Sequence, residues 1–129
     1  MRPTPEQEQI IRGEKIAVFA TVRADGTPQL TPVNYVYQDG VFLLSTTRDR
    51  AKYPNVRRNP KVSLCIIRPE SRPYVTVFGQ ARIEEQDIVE GTTAIFRSMT
   101  DRPLPEDFAE VLRQQKRVLI IVTPERFVP

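Results

Sequence analysis

A chain of 129 residues with 19 basic and 16 acidic side chains, net charge +3, is sized for one domain with a real core, and its charge sum alone does not mark a nucleic-acid binder. It contains no histidine, one cysteine and five glycines, which excludes an intrachain disulfide and removes the zinc signatures, the Gly-x-Ser-x-Gly elbow and the glycine-rich phosphate loop. The longest aliphatic run, residues 118–122, is far short of the ~20 residues of a membrane span, and the first five residues lack the apolar core of a signal peptide, so a cytoplasmic protein without a membrane partner is expected.

Thr4-Pro5-Glu6-Gln7 has the form of a helix start, with Thr4 as cap, Pro5 in the first turn and Gln7 closing a capping box; Gly13 ends the helix. Residues 16–23 are apolar and β-branched, Asp25-Gly26 is a turn signal, and residues 29–37 alternate before Asp39-Gly40 turns into a third strand over 41–46. Residues 50–59 predict one short helix, in which Pro54 is tolerable only near the first turn, and Pro60 ends it. A fourth strand over 61–68 carries Cys65 among Leu64, Ile66 and Ile67, where the thiol reads as a core filler. After a loop over 69–73, a long fifth strand spans 74–83, with Gly79 marking a bulge or a close backbone approach. Ile88, Thr92, Ile95, Phe96 and Met99 recur at helical spacing over 85–99, as do Phe108, Val111 and Leu112 after Pro105; both stripes read as packing faces. Residues 118–122 add a sixth strand, which Pro124 ends.

Six strands joined mostly by hairpins would leave exposed edges in one flat sheet of this size, and closure into a small barrel removes them. The fold class is therefore mainly β, a barrel with a few helices, over a single domain spanning 1–129. Function points to residues 45–61. Ser45, Thr46 and Thr47 stand at the end of the third strand, and Arg48 to Lys61 holds six Arg or Lys against one Asp. Hydroxyls, guanidinium forks and a helix start suit a phosphate; a solvated basic helix face is the plainer alternative. With no histidine or paired cysteines, an enzyme built on this chain would leave the demanding electronic step to a bound cofactor, with no metal.

The ordered features Phe19-Ala20-Thr21-Val22-Arg23-Ala24-Asp25-Gly26-Thr27-Pro28-Gln29, Thr31-Pro32-Val33, and Thr46 through Arg50-Ala51-Lys52-x-x-Asn55-Val56-Arg57-Arg58-Asn59-Pro60 resemble the split β-barrel flavin and deazaflavin proteins related to pyridoxamine 5′-phosphate oxidase. The resemblance covers most of residues 16–83, and the strand over 117–127 is similar as well. It implies a six-stranded antiparallel split barrel of the FMN-binding type, a homodimer with cofactor sites at its interface, and a cofactor phosphate held by Thr46, Thr47, Arg50 and Lys52 with Asn55 close by. The segment from Gln29 through Thr31 and Pro32 to Asn34 would lie along the ring, partly through its backbone. The Arg-Ala-Lys-x-x-Asn spacing, in place of an adjacent Arg-Lys, favours the coenzyme F-420 (deazaflavin) branch, with FMN as the alternative. The absence of Trp and His departs from the vitamin B6 oxidases and argues against pyridoxamine phosphate as substrate.

The expected function is hydride transfer from a reduced deazaflavin to an unsaturated small organic molecule. Tyr35, Tyr37 and Tyr74 are proton-donor candidates that read more simply as half-buried strand residues, and no catalytic acid or base is assigned. An FMN oxidoreductase and a non-enzymatic flavin or deazaflavin carrier compete on the same scaffold. An OB-like barrel binding single-stranded nucleic acid competes from another class, disfavoured because the cations concentrate in one segment.

Overall fold

The computed structural model describes residues 2–70 and 72–129, so Ser71 of the 69–73 loop lies outside the described residues. The chain opens with helix α1 (Pro5–Gly13), where the capping box forms as the sequence predicts: Gln7 N–H donates to Thr4 Oγ1 at 3.1 Å and Thr4 N–H to Gln7 Oε1 at 2.9 Å. Strands β1 (Ile16–Val22), β2 (Pro28–Gln38) and β3 (Val41–Thr47) follow as antiparallel neighbours. Asp39 and Gly40 both take positive φ, 54° and 77°, the two-residue turn whose twist matches the flanking strands. Helix α2 (Lys52–Arg58) has Pro54 in its first turn, where its missing N–H costs little. Strands β4 (Lys61–Ile67) and β5 (Tyr74–Glu84), helices α3 (Val89–Met99) and α4 (Phe108–Gln114), and strand β6 (Arg117–Val128) complete the chain.

Among the described residues the sheet closes in the order β1-β2-β3-β6-β5-β4. Phe19, Phe42, Leu44, Leu64, Val77 and Ile120, each 0–1% exposed, fill the interior. Burying each stabilises the fold by roughly 1.5–3 kcal/mol. A second cluster, Leu43, Ile88, Ile95, Leu112 and Leu119, fastens α3 and α4 to the outer side of β3 and β6. Gly91 lets α3 approach closely, because a Cβ there would meet Leu119 Cδ1 at 2.6 Å.

Three expectations change. β6 does not stop at Pro124 but runs to Val128, because the bulge at Phe78/Gly79 puts a glycine opposite the proline, where the Thr123 carbonyl comes too close for any Cβ. α3 starts at Val89 instead of 85, because Glu84 accepts the N–H groups of Gln86 and Asp87 while Glu85 is drawn aside to Arg48 and Tyr53. Cys65 is no core filler: strand alternation turns Leu64 and Ile66 inward and leaves Cys65 half-buried on the outer face, in register with Val18 and Thr76.

The barrel is split on one side. β2 pairs with β3 only through residues 35–38, whereas β3 continues against β6 through 42–47. The β2 backbone over 28–34 is therefore paired with β1 alone, and among the described residues its other edge has no strand neighbour.

Candidate ligand site

A cavity of about 480 Å³ opens at this fork, between the outer side of β2, β3 and β6 and the helices α3 and α4. One end is cationic. Ser45 faces outward because Leu44 and Thr46 on either side face inward, and Arg117 stands beside it at the start of β6, opposite Thr47. The β3–α2 turn, closed by Arg50 N–H to the Thr47 carbonyl at 3.1 Å, brings Arg50 and then Lys52 to the same end.

Lys52 is only 9% exposed, and among the described residues no carboxylate lies within ion-pair distance of Lys52, Arg50 or Arg117. Burial first, and then the neighbouring Arg50, hold the Lys52 ammonium below the ordinary lysine value of 10.5. Arg117 is lowered by burial and Arg50 in the same order, and its side-chain hydrogen bonds go to neutral partners, Gln115 Oε1 at 3.0 Å and Ser45 Oγ at 3.4 Å. Asp49, the acid of the turn, is engaged by the Thr47 hydroxyl, and that hydrogen bond is the main reason its carboxyl sits below the usual carboxylate range. A buried cation without an ionic partner, as Lys52 is, is costly, and an anion brought between it, the half-buried Arg117 and the exposed Arg50 offsets that cost through charge-assisted hydrogen bonds.

The other end is apolar. Ile95, Phe96, Met99, Phe108, Val111 and Leu112 line it, and the rings of Phe96 and Phe108 meet edge to face at 5.9 Å between centroids. The unpaired edge of β2 passes alongside, with Pro32, Val33 and Asn34 in the lining. Positive charge at one end, backbone donors and acceptors along one side and an apolar wall opposite form a site for an anionic, planar, amphipathic molecule.

Of the residues singled out from sequence, Pro32, Asn34, Arg50 and Lys52 line the cavity. The others do not. Thr46, 1% exposed, alternates with Phe42 and Leu44 into the barrel interior, and its hydroxyl has no partner there. Gln29 and Thr31 turn inward on β2 for the same reason of alternation. Asn55, 5% exposed, donates to Thr21 Oγ1 and Gln29 Oε1, both at 3.1 Å, and accepts from Arg58 at 2.8 Å, which pins α2 across one end of the barrel. Thr47 is spent on Asp49. Arg57 stacks over Tyr53 and Arg58 reaches the Val22 carbonyl, so neither is a freely solvated charge.

Sequence reasoning missed Arg117, the hydroxyl of Ser45 as the outward one, and the α3–α4 wall. Counting alternation outward from Phe42 and Leu44 would have separated Ser45 from Thr46; nothing local distinguishes the cavity side of α3 from its packing side. The tyrosines are elsewhere: Tyr35 donates to the Ile11 carbonyl at 2.6 Å in the core, where burial raises its pKa, Tyr37 packs on Phe42 and Arg12, and Tyr74 is exposed on β5.

Comparison with known proteins agrees with this architecture. An F-420 reductase of known structure superposes with a TM-score of 0.78 at 29% identity over 98% of both chains. The conserved hypothetical protein Rv2991 from Mycobacterium tuberculosis gives 0.80 at 24% identity over 98% of this chain and 83% of that one. General Stress Protein 26 from Bacillus anthracis gives 0.66 at 23% over 95% of each, and both of these likenesses bear on the fold alone. The family model described as pyridoxamine 5′-phosphate oxidase matches residues 3–128, and the chain belongs to that family.

Proposed function

We propose that this protein is an oxidoreductase that binds coenzyme F-420 and acts on an unsaturated organic molecule. The observation that carries the reading is the set of unpaired cations, Arg50, Lys52 and Arg117, at one end of a cavity bordered by an unpaired strand edge. The 29% identity to an F-420 reductase over nearly the whole chain supports the deazaflavin over FMN. When bound in its reduced form, such a cofactor supplies the hydride. The chain's own residues do the rest: the cations neutralise and fix the phosphate, the free backbone edge over 28–34 offers hydrogen bonds to the ring's polar rim, and the α3–α4 wall excludes water from the apolar end. Among the described residues the cavity lining contains no carboxylic acid and no phenol, which leaves water and the Lys52 ammonium as proton sources.

The same reading includes a homodimer. Ile16 and Val18 on β1, Leu30 on β2, Ile67 on β4 and Tyr74 and Phe78 on β5 are 40–63% exposed, and the strand register joins them into one apolar face. That face borders the cavity through Pro32, opposite Val18, and Asn34, opposite Ile16. A second copy seated there would wall the ligand site and cover the apolar strands together. The nucleic-acid alternative has less support, because Arg48 is paired with Glu85 and Lys52 is buried at the cavity, which breaks the cations of 48–61 as a continuous exposed row.

Titration with coenzyme F-420 and, separately, FMN, followed by absorbance and fluorescence, tests the reading. Saturable, tighter binding of F-420 is expected; FMN binding alone would move the assignment to a flavin enzyme, and binding of neither would overturn it. A pH series adds a signature of the site. An anion beside Lys52 favours its charged form, so the bound-state pKa rises above the depressed free-state value. Between the two, binding takes up a proton, and affinity is expected to fall as pH rises through the free Lys52 pKa, below 10.5. Lys52→Arg should bind with a flat profile over the same range, and an equally sloping profile would remove Lys52 from the site.

A further inference from the structure

We infer that Thr92 on α3 is a ligand-contacting residue, a hydroxyl kept unpaired in the protein so that it can hydrogen-bond the molecule bound in the cavity. The inference rests on the proposed cofactor site and adds a residue that neither the sequence pattern nor the phosphate chemistry suggests.

Thr92 lines the cavity, is 6% exposed, and its Oγ1 is buried with no hydrogen-bond partner. A threonine within a helix ordinarily escapes that situation by donating to the carbonyl one turn back. Its neighbours do so: Thr93 donates to the Val89 carbonyl at 2.7 Å and Ser98 to the Ile95 carbonyl at 2.6 Å. Thr92 does not, although the Ile88 carbonyl one turn back accepts the Thr92 backbone N–H at 3.0 Å and has a second lone pair. An orphaned buried hydroxyl costs stability that a valine of the same shape would not.

Across the cavity the neighbouring polar groups are also under-used. Asn34 makes no side-chain hydrogen bond among the described residues, and Ser45 accepts only a long one, 3.4 Å, from Arg117. α3 packs on both β2 and β3, the strands that carry Asn34 and Ser45. Thr92 therefore belongs to a neutral polar band between the cationic end and the apolar wall. Such a band would meet the heteroatoms of a ring system whose phosphate is held by Arg50, Lys52 and Arg117. In this rotamer Oγ1 is closed off from the cavity space; because Oγ1 and Cγ2 share one Cβ, a change of χ1 well exchanges them and turns the hydroxyl to a ligand without movement of α3.

The test is Thr92→Val beside Thr92→Ser and wild type, each measured for thermal unfolding without ligand and for binding of coenzyme F-420 and FMN by fluorescence titration. The expected result has opposite signs: Thr92→Val unfolds at the same or a higher temperature than wild type, yet binds roughly three- to tenfold more weakly, the loss of one neutral hydrogen bond, while Thr92→Ser keeps near wild-type affinity. A purely structural role would move stability and affinity down together. Wild-type binding with unchanged affinity in Thr92→Val overturns the inference while leaving the cofactor site standing. Absence of binding by wild type overturns both, and so is distinct from the first outcome.

Discussion

Lys52→Ala and Arg50→Ala are each expected to weaken coenzyme F-420 binding by roughly ten- to a hundredfold, while Lys61→Ala and Arg113→Ala leave it unchanged. Each cation lost removes a charge-assisted hydrogen bond to the phosphate, on the order of 1.5–3 kcal/mol, the lower end applying to the exposed Arg50. The controls carry the same charge in other places: Lys61 is exposed on β4 and Arg113 is exposed and paired with Glu110. Stability should respond in the opposite direction at Lys52. Its ammonium is buried beside Arg50 with no carboxylate partner, so the unliganded Lys52→Ala protein is expected to unfold at the wild-type temperature or above it. Titrations at one fixed ionic strength make the comparison clean, since exposed charges act through a screened field. Four indistinguishable dissociation constants would return residues 48–61 to a solvated basic surface and leave the cavity without its anion.

A second large effect is expected on the apolar face. Leu30→Asp should convert a homodimer into a folded monomer at micromolar concentration, read by light scattering, and should lower cofactor affinity by at least about tenfold as the partner's wall is lost. Leu30 is 63% exposed in the single chain, so the substitution removes little monomer packing, whereas in a two-fold contact it buries a carboxylate in an apolar interface, a cost of several kcal/mol. Far-ultraviolet circular dichroism that matches wild type separates dissociation from unfolding. A wild-type protein that is monomeric at that concentration, or a Leu30→Asp protein that remains dimeric, would refute the proposed interface. Fully retained affinity in a monomeric variant would show that one protomer completes the site alone.

Both predictions trace back to the split in the barrel, which joins packing to function. A fully paired β2–β3 ladder would consume the backbone groups of residues 28–34, and α3 and α4 would lie flat on a continuous sheet. Because the pairing stops at Tyr35 and Leu44, the strands diverge, the helices bridge the gap, and the cavity results.

Several features governed by short-range chemistry could be read directly from the residues. The Thr4–Gln7 capping box, the Asp39-Gly40 turn and the cationic cluster around Arg50 and Lys52 each depend on residues within a few positions, whose backbone preferences are legible one turn at a time. The antiparallel run β1-β2-β3 and closure into a barrel were legible too, because hairpins and the need to remove edges favour them; the pairings of β3 with β6 and of β1 with β4 were not. Which face each chemically suggestive residue occupies depends on long-range packing. Thr46 and Ser45 are both hydroxyls at a strand end, yet a two-residue period sends one into the core and the other to the cavity. Asn55, expected close to the phosphate, lies outside the cavity lining and ties α2 to the barrel, because burial at α2 demands partners that Thr21 and Gln29 supply from another strand pair. Arg117 lies 65 or more residues from its cationic partners, and the α3–α4 stripes carry the same periodicity whether they face a core or a cavity. Their roles follow from strand register and helix docking, which are long-range packing outcomes that no local pattern encodes.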